Sequence, residues 1–174
     1  YETLKCLRAE RHAMEFETIE TYMTFDELGG IKEILPRTRN DAHKLIEECM
    51  LLANVAAAEY SLEHDIPMLY RVHEAPEFSR IQKVRDFVKL LGLPFPEQPT
   101  QADYQRVIEA TKDRLDAPSI HAVLLRSMMQ AYYGANNAGH YGLAYEAYTH
   151  FTSPIRRYPD SLLHRAIKAY LDKK

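Results

Sequence analysis

The order of apolar and polar residues, together with helix-capping signals, predicts six helices. Five of them lie over about residues 2–14, 40–66, 76–92, 101–114 and 119–133, and the sixth runs from Ile155 to Asp172. The second helix is apolar round much of its girth, which is typical of a helix buried on several sides in the middle of a domain. Its apolar positions are Leu45, Ile46, Met50, Leu52, Ala53 and Ala56.

Other patterns predict extended structure. Residues 16–38 contain two runs rich in Ile, Thr, Tyr and Phe around Asp26–Gly30. This indicates a β-hairpin, although the imperfect alternation leaves an irregular loop open. The run PMLYRV is a short candidate strand, and GHYGLAYEAYTH, residues 139–150, breaks the helical period and favours an extended segment or loop. The chain is therefore predicted to have an α+β fold that is predominantly α-helical.

Local signals mark several helix ends. Candidate caps are Asn40 or Asp41, Gly92, and Thr100 with Asp103 in a capping box. For the last helix, Thr152 or Ser153 is the candidate N-cap and Pro154 occupies the first turn. Pro159 is expected to be tolerated because it still lies near the start of that helix.

Length and composition indicate one globular domain. The chain has 174 residues, of which 46% are hydrophobic and 27% charged, with six glycines. Cys6 and Cys49 lack metal-ligand spacing and are interpreted as ordinary thiols. Two free thiols are consistent with a reducing cytoplasm. No apolar run reaches the roughly 18 residues of a membrane span. Because the chain opens with Tyr1 in helix-like sequence, we expect a piece of something longer.

Positive charge gathers near the C-terminus. The formal net charge is −3, yet residues 150–174 hold six Lys/Arg and two Asp/Glu. This favours a focused anion site, with a basic helix end that interacts with its own dipole as the alternative. A second basic face lies on the predicted helix over 76–92 and is interpreted as a solvated surface rather than an RNA groove. Its residues are Arg80, Lys83, Arg85 and Lys89.

The stretch HFTSPIRRYP carries two adjacent arginines. On a helix Arg156 and Arg157 would point about 100° apart and could not serve the same role. One could bind a phosphate while the other pairs with Asp160, and His164 could join that network. From these residues alone, a structural salt-bridge cluster is favoured over an anion site, and both stay open. The sequence shows no metal-ligand spacing and no complete catalytic motif.

Two stretches resemble a known family. HYGLAYEAYTHFTSPIRRYPDSLLH, residues 140–164, resembles the signature of the RNase II/RNase R family of 3′-to-5′ exoribonucleases. RNDAHKLIEECMLLANVAAA, residues 39–58, resembles the long central helix of that family. PMLYRVHEAP and the Arg-Arg-Tyr-Pro-Asp sequence favour the RNase R branch. The resemblance extends from the first helix to the last and departs from the family pattern at Ser161, where an apolar residue is expected.

The resemblance implies that residues 1–174 are a single piece, the second half of the family's catalytic domain. The metal-binding half and the cold-shock and S1 RNA-binding domains would then be absent. The family hydrolyses RNA from the 3′ end and releases nucleoside 5′-monophosphates. Its Mg²⁺ is held by clustered aspartates. Since no such group stands in this sequence, the Mg²⁺ ligands are expected outside this chain, and the isolated piece is expected to be inactive.

The same resemblance assigns roles to individual residues. Arg156 matches the arginine that reaches the scissile phosphate and is the predicted catalytic residue. Glu47 matches the acidic residue that helps to hold the terminal nucleotide, and it is preferred to Glu48 because it shares a helical face with Asn54.

Three further residues, Thr152, Ser153 and Arg157, match the motif and are predicted RNA-binding residues, while a scaffold role stays open for them. Of the two arginines, Arg157 is the one expected to brace the fold through Asp160. The predicted partner is single-stranded RNA with a free 3′ end, and we expect a monomeric, cytoplasmic protein with no membrane contact. The alternative is a non-catalytic RNA-binding or helical adaptor module.

Overall fold

The computed structural model describes residues 1–16, 20–37 and 40–173. The helices are α1 Glu2–Glu10, α2 Asp41–Glu63, α3 Phe78–Leu90, α4 Gln101–Thr111, α5 Ala117–Ser127 and α6 Tyr158–Leu171. The strands are β1 Glu20–Phe25, β2 Ile31–Arg37, β3 Tyr70–Val72 and β4 Tyr132–Gly134. The predicted α+β fold with a helical majority is therefore confirmed. Arg39, at the start of the RNDAHK stretch, lies outside the described residues.

The predicted hairpin is present. Strands β1 and β2 pair antiparallel across the turn at Asp26–Gly30. The Asp26 carboxylate accepts hydrogen bonds from the backbone N–H groups of Leu28 at 2.9 Å and Gly30 at 2.7 Å. Gly29 has a φ of +81°, a left-handed conformation that glycine adopts without strain. Contacts between neighbouring residues of the turn therefore stabilise this hairpin.

The main apolar core lies among α3, α4 and α5, where α5 packs against both other helices. Tyr104 of α4 is fully buried, and its ring meets Phe95 edge to face at 5.2 Å. The remaining buried members of this core are Met14, Val84, Val88, Val107, Ile108, Leu124 and Met128. The segment after α1 is tied to this region because Met14 N–H donates to the Gly142 carbonyl at 3.2 Å.

Helix α2 departs from its predicted environment. Its buried residues are Glu48, Asn54, Ala57, Ala58 and Ser61. The apolar positions expected in the core are partly or largely open, with Ile46 59% and Leu52 45% exposed. The prediction of burial on several sides is thus wrong for the described chain. The face that α2 buries is its small and polar face, because that face meets the segment from Tyr148 to Thr152.

Helix α5 is shorter than predicted. It ends at Ser127, whose hydroxyl donates to the Leu124 carbonyl at 2.6 Å, and Met128 turns to an extended conformation. Residues Tyr132–Gly134 then form β4, which pairs antiparallel with β3. The apolar period continues through Ala131, but strand pairing with a distant segment determines the conformation that follows.

Helix α6 also starts later than predicted, at Tyr158 with Arg157 as N-cap. The predicted start at Ile155 and the proposed caps at Thr152 or Ser153 are wrong. A helix from Ile155 would place Pro159 at its fifth position, where the ring clashes with the carbonyl four residues earlier and no N–H is available. The observed start brings Pro159 into the first turn, where proline is tolerated.

Candidate functional site

The loop from His150 to Arg157 connects the β3–β4 region to α6 and is fixed at its entrance by α2. Asn54 is 3% exposed, and its side-chain oxygen accepts hydrogen bonds from Phe151 N–H at 2.8 Å and Thr152 N–H at 3.2 Å. Its amide nitrogen donates to the Tyr148 hydroxyl at 2.9 Å. Three polar contacts therefore satisfy this buried amide.

The exit of the loop is fixed by Asp160, which is 0% exposed. Its carboxylate accepts from Ser153 N–H at 2.8 Å and from the Arg157 guanidinium, with Nη2 at 2.9 Å and Nε at 3.0 Å. The predicted pairing of Arg157 with Asp160 is thus present. The Ser153 carbonyl in turn accepts from the N–H groups of Arg156 and Arg157, which closes a tight turn.

His164 makes a third attachment. Its Nε2 lies 2.8 Å from the Phe151 carbonyl oxygen, and the two rings stack with centroids 4.0 Å apart. Because a carbonyl oxygen only accepts, Nε2 carries the proton in this contact. His164 therefore holds the loop backbone, rather than joining the carboxylate of Asp160 as the sequence suggested.

Between these attachments, the tip of the loop is open. Pro154, Ile155 and Arg156 are exposed, and Ile155 reaches 102%. The Arg156 guanidinium makes no hydrogen bond or ion pair with any residue that the structure describes. A rigidly held backbone thus presents an unpaired planar cation, which is the group suited to bidentate phosphate contact.

A cavity of about 280 Å³ brings two predicted RNA-binding residues together. Glu47 from α2 and Arg157 from the loop line it. The other lining residues are Arg8, Met50, Leu51, Asn54 and Tyr148. Thr152, Ser153 and Arg156 are not among the residues that line it and belong to the adjoining loop. The Thr152 hydroxyl is buried and has no hydrogen-bond partner among the described residues.

The two adjacent glutamates have different environments. Glu48 is 6% exposed and accepts a hydrogen bond from Arg8 of α1 at 2.6 Å. Burial lowers the pKa of Arg8, but the Glu48 hydrogen bond and the charges of neighbouring carboxylates together have the larger, opposite effect. The pKa of Arg8 therefore lies above its usual value. Glu48 is therefore committed to an internal ion pair, and Glu47 is the one that lines the cavity.

Sequence reasoning missed Tyr148, and it used Asn54 only to choose between glutamates. Tyr148 is 4% exposed and stacks on Tyr145 with centroids 5.8 Å apart. Burial is the main reason why the pKa of Tyr148 is raised. A signal for Asn54 was present, since it is the one polar residue in the apolar run MLLANVAAA. A buried amide in such a run needs partners.

The histidines whose rings contact Tyr148, His140 and His150, have neutral imidazoles. Burial, followed by the nearby His73, lowers the pKa of His140 to about 3. Burial and then Arg157 lower the pKa of His150 to about 4. The geometry agrees, because backbone N–H groups donate to Nδ1 of His73 at 3.0 Å and of His140 at 3.2 Å, as only an unprotonated nitrogen permits.

The described ranges contain neither a metal-binding cluster nor a membrane-spanning helix. No group of three or more His, Cys, Asp or Glu side chains in residues 1–16, 20–37 and 40–173 is placed to hold a metal ion. In the same ranges, no helix combines the length and the apolar character needed to cross a bilayer.

Comparison with known proteins identifies the class to which this fold and site belong. The model of the RNB domain matches residues 1–173, and the chain belongs to the RNB family. This confirms the resemblance found in the sequence. The particular relatives are ribonucleases R: the chain is 51% identical to ribonuclease R of Vibrio cholerae over 176 aligned residues, covering 100% of this chain and 21% of that protein.

Solved structures agree. Mycoplasma genitalium RNase R in complex with double-stranded RNA matches with a TM-score of 0.90 and 28% identity, over 98% of this chain and 31% of that one. Its complex with ribose-methylated single-stranded RNA matches with a TM-score of 0.88, over 95% of this chain and 26% of that one. Yeast Ssd1, a pseudonuclease, matches with a TM-score of 0.69 and 27% identity, over 79% of this chain and 18% of that one. The chain spans about a fifth, 21%, of the length of ribonuclease R of Vibrio cholerae.

Proposed function

We propose that this chain forms the phosphate-contacting side of an exoribonuclease active site, which shortens single-stranded RNA from a free 3′ end and releases nucleoside 5′-monophosphates. The observation that carries the proposal is the fixed loop that presents Arg156 beside the cavity lined by Glu47 and Arg157. Membership of the RNB family and similarity to ribonuclease R support it.

In this proposal Arg156 contacts the scissile phosphate. A guanidinium at this position stabilises the charge that develops on the phosphate oxygens more than it stabilises the ground state. The N–H groups of Phe151, Thr152 and Ser153 already donate to Asn54 and Asp160. RNA contacts from this loop are therefore assigned to its exposed Arg156 side chain and not to these backbone groups.

The cavity is the proposed site of the terminal nucleotide. Its volume of about 280 Å³ is close to the lower end of typical small-ligand sites, which begin at about 300 Å³. Glu47 would accept hydrogen bonds from the ribose hydroxyls, because a carboxylate only accepts and a 2′-hydroxyl can donate. Arg157 lines the same cavity while its guanidinium pairs with Asp160, so its RNA role is secondary to its structural one.

Mg²⁺ is the metal we propose for the complete enzyme. The described residues of this chain do not offer a ligand group for it. Its ligands are accordingly proposed to lie outside this chain, and the role of this chain is confined to the phosphate and the terminal nucleotide. A cytoplasmic, monomeric enzyme is the corresponding proposal for the whole protein.

The test is Arg156→Ala in the complete protein. We expect single-turnover hydrolysis of a 5′-labelled oligoribonucleotide to fall by about 100-fold or more, while the Kd for the same RNA changes by less than about fivefold. Arg156→Lys should recover only part of the rate, since an ammonium lacks the planar fork. Arg165→Ala, an exposed arginine of α6, is the charge-matched control. Equal losses in rate and affinity would contradict the assigned role.

A non-catalytic RNA-binding module is the second candidate, and the similarity to the pseudonuclease Ssd1 favours it. The enzyme and the non-catalytic module are distinguished by incubating the complete protein with 3′-ended RNA in the presence and in the absence of Mg²⁺. Binding without any shortening of the RNA in either condition would favour the module. The presence of clustered aspartates upstream of Tyr1 in the complete sequence would favour the enzyme.

A further inference from the structure

We infer that Asn54 is a positioning residue for Arg156, an inference that rests on the proposed function. Asn54 lies on α2, is 3% exposed, and accepts hydrogen bonds from two consecutive N–H groups of the loop, those of Phe151 and Thr152. These contacts join residues separated by 97 and 98 positions in the chain. Asn54 is thus the side chain of α2 that attaches the arginine loop to the wall of the nucleotide cavity.

The chemistry of its partners fixes the orientation of the Asn54 amide. Backbone N–H groups only donate, so the side-chain oxygen must face Phe151 and Thr152. The amide nitrogen must then face the Tyr148 hydroxyl, whose oxygen accepts at 2.9 Å. Among residues of similar size, an aspartate could accept from the loop and from a reoriented Tyr148 hydroxyl but would bury a negative charge, and a leucine has no acceptor for the loop. Asparagine alone matches both sides without adding charge.

Helix stability does not explain this residue. Asparagine is a weak helix former and competes with the backbone for hydrogen bonds. Burying an amide is unfavourable unless partners satisfy it. At a position surrounded by Leu51, Leu52, Val55 and four alanines, an alanine would favour the helix more. The contribution of Asn54 is therefore to the loop that it holds.

The loop is short enough for this anchor to control Arg156. Asn54 holds Phe151 and Thr152, and Asp160 holds Ser153 and the Arg157 side chain. Loss of Asn54 would leave the loop attached to α6 but detached from α2. Arg156 would then move relative to the Glu47 cavity, and a displacement of about 1 Å in a catalytic group can cost about 100-fold in rate.

The experiment is a double-mutant cycle in the complete enzyme. Four proteins are compared: the parent, Asn54→Ala, Arg156→Ala and the double variant. Ser61→Ala is the matched control, because Ser61 is also buried on α2 and its hydroxyl donates to the Ala57 carbonyl of its own helix. Single-turnover rate at saturating oligoribonucleotide, RNA Kd and unfolding midpoint are measured for each.

We expect Asn54→Ala to lower the rate by about 10- to 100-fold and to raise Kd by less than about fivefold. In the Arg156→Ala background, the same substitution should lower the rate by less than about threefold, because the group that it positions is gone. A full-sized effect in that background, or a rate no lower than that of Ser61→Ala, would overturn the inference. A merely structural role predicts those results.

A second readout does not depend on activity. Residue-resolved amide hydrogen exchange should show Phe151 and Thr152 protected in the parent and fast-exchanging in Asn54→Ala, with Ser153 still protected by Asp160. Unchanged protection of Phe151 and Thr152 would overturn the inference even if the enzyme is active. If the parent itself shows no hydrolysis, the proposed function fails, while the exchange result still decides whether Asn54 holds the loop.

Discussion

Replacing Asp160 with alanine should be among the most destabilising single changes near the site. The carboxylate is 0% exposed and accepts hydrogen bonds from Ser153 N–H and from two nitrogens of Arg157. A hydrogen bond to a buried charge is worth about 1.5–3 kcal/mol, and breaking a fully buried ion pair costs about 3–5 kcal/mol. Because the Arg157 side chain is 19% exposed, water compensates part of the second loss.

We therefore expect Asp160→Ala to lower the free energy of unfolding by about 3 kcal/mol. For a chain of this size that corresponds to a fall in Tm of roughly 6–12 °C. Asp160→Asn keeps the shape and one acceptor, so it should lose about half as much. Thermal and urea unfolding, followed by circular dichroism, measure both variants.

A double variant tests where the lost stability comes from. Much of the expected loss comes from leaving the Arg157 guanidinium without its partner, so Asp160→Ala combined with Arg157→Met should be more stable than Asp160→Ala alone. A loss below about 1 kcal/mol for Asp160→Ala would refute the energies assigned to these hydrogen bonds. Equal stability of the single and double variants would refute the assignment of the loss to Arg157.

The remaining predictions concern the imidazoles beside the site. The folded-state pKa values of His140 and His150 are about 3 and about 4, against about 6.5 when unfolded. Between these limits the unfolded chain binds more protons, so stability should fall as the pH drops from 7 to 5, by on the order of 1–2 kcal/mol for each histidine. Urea unfolding midpoints measured between pH 5 and pH 7 test this prediction. The double variant His140→Gln/His150→Gln should show a weaker dependence of stability on pH, and a parent protein whose stability does not change with pH would contradict the prediction. Gly142→Ala would place a Cβ 2.9 Å from Nδ1 of His73, which is buried and cannot withdraw. We expect a loss of about 1–3 kcal/mol in the free energy of unfolding, and an unchanged unfolding midpoint would show that the ring gives way.

Features set by neighbouring residues were predictable. The capping boxes at Asn40–His43 and Thr100–Asp103 form between side chain and backbone three positions apart. The sequence predicted the second box with Thr100 as N-cap, and Asn40 is one of the two caps it offered for α2. The hairpin turn is likewise made by Asp26 and the residues that directly follow it. The sequence motifs also identified the family correctly, since the RNB domain matches residues 1–173.

Features set by distant partners were not predictable from periodicity. The end of α5 depends on pairing of Tyr132–Gly134 with Tyr70–Val72. The apolar pattern of α2 suggested general burial, but the face that packs within the described chain is the one that carries Asn54.

The candidate site shows the same division. Its chemical groups could be read from the residues alone: two arginines, an adjacent pair of glutamates, and a family motif that gives Arg156 its predicted role. The Arg157–Asp160 pair, three positions apart, was also predictable, whereas folding of the whole chain was needed to pair Glu48 with Arg8 and to bring Glu47 and Arg157 to the same cavity. The physical reason is that a charged side chain can pair with any opposite charge within reach. The folded backbone decides which of those partners is close and shielded from water.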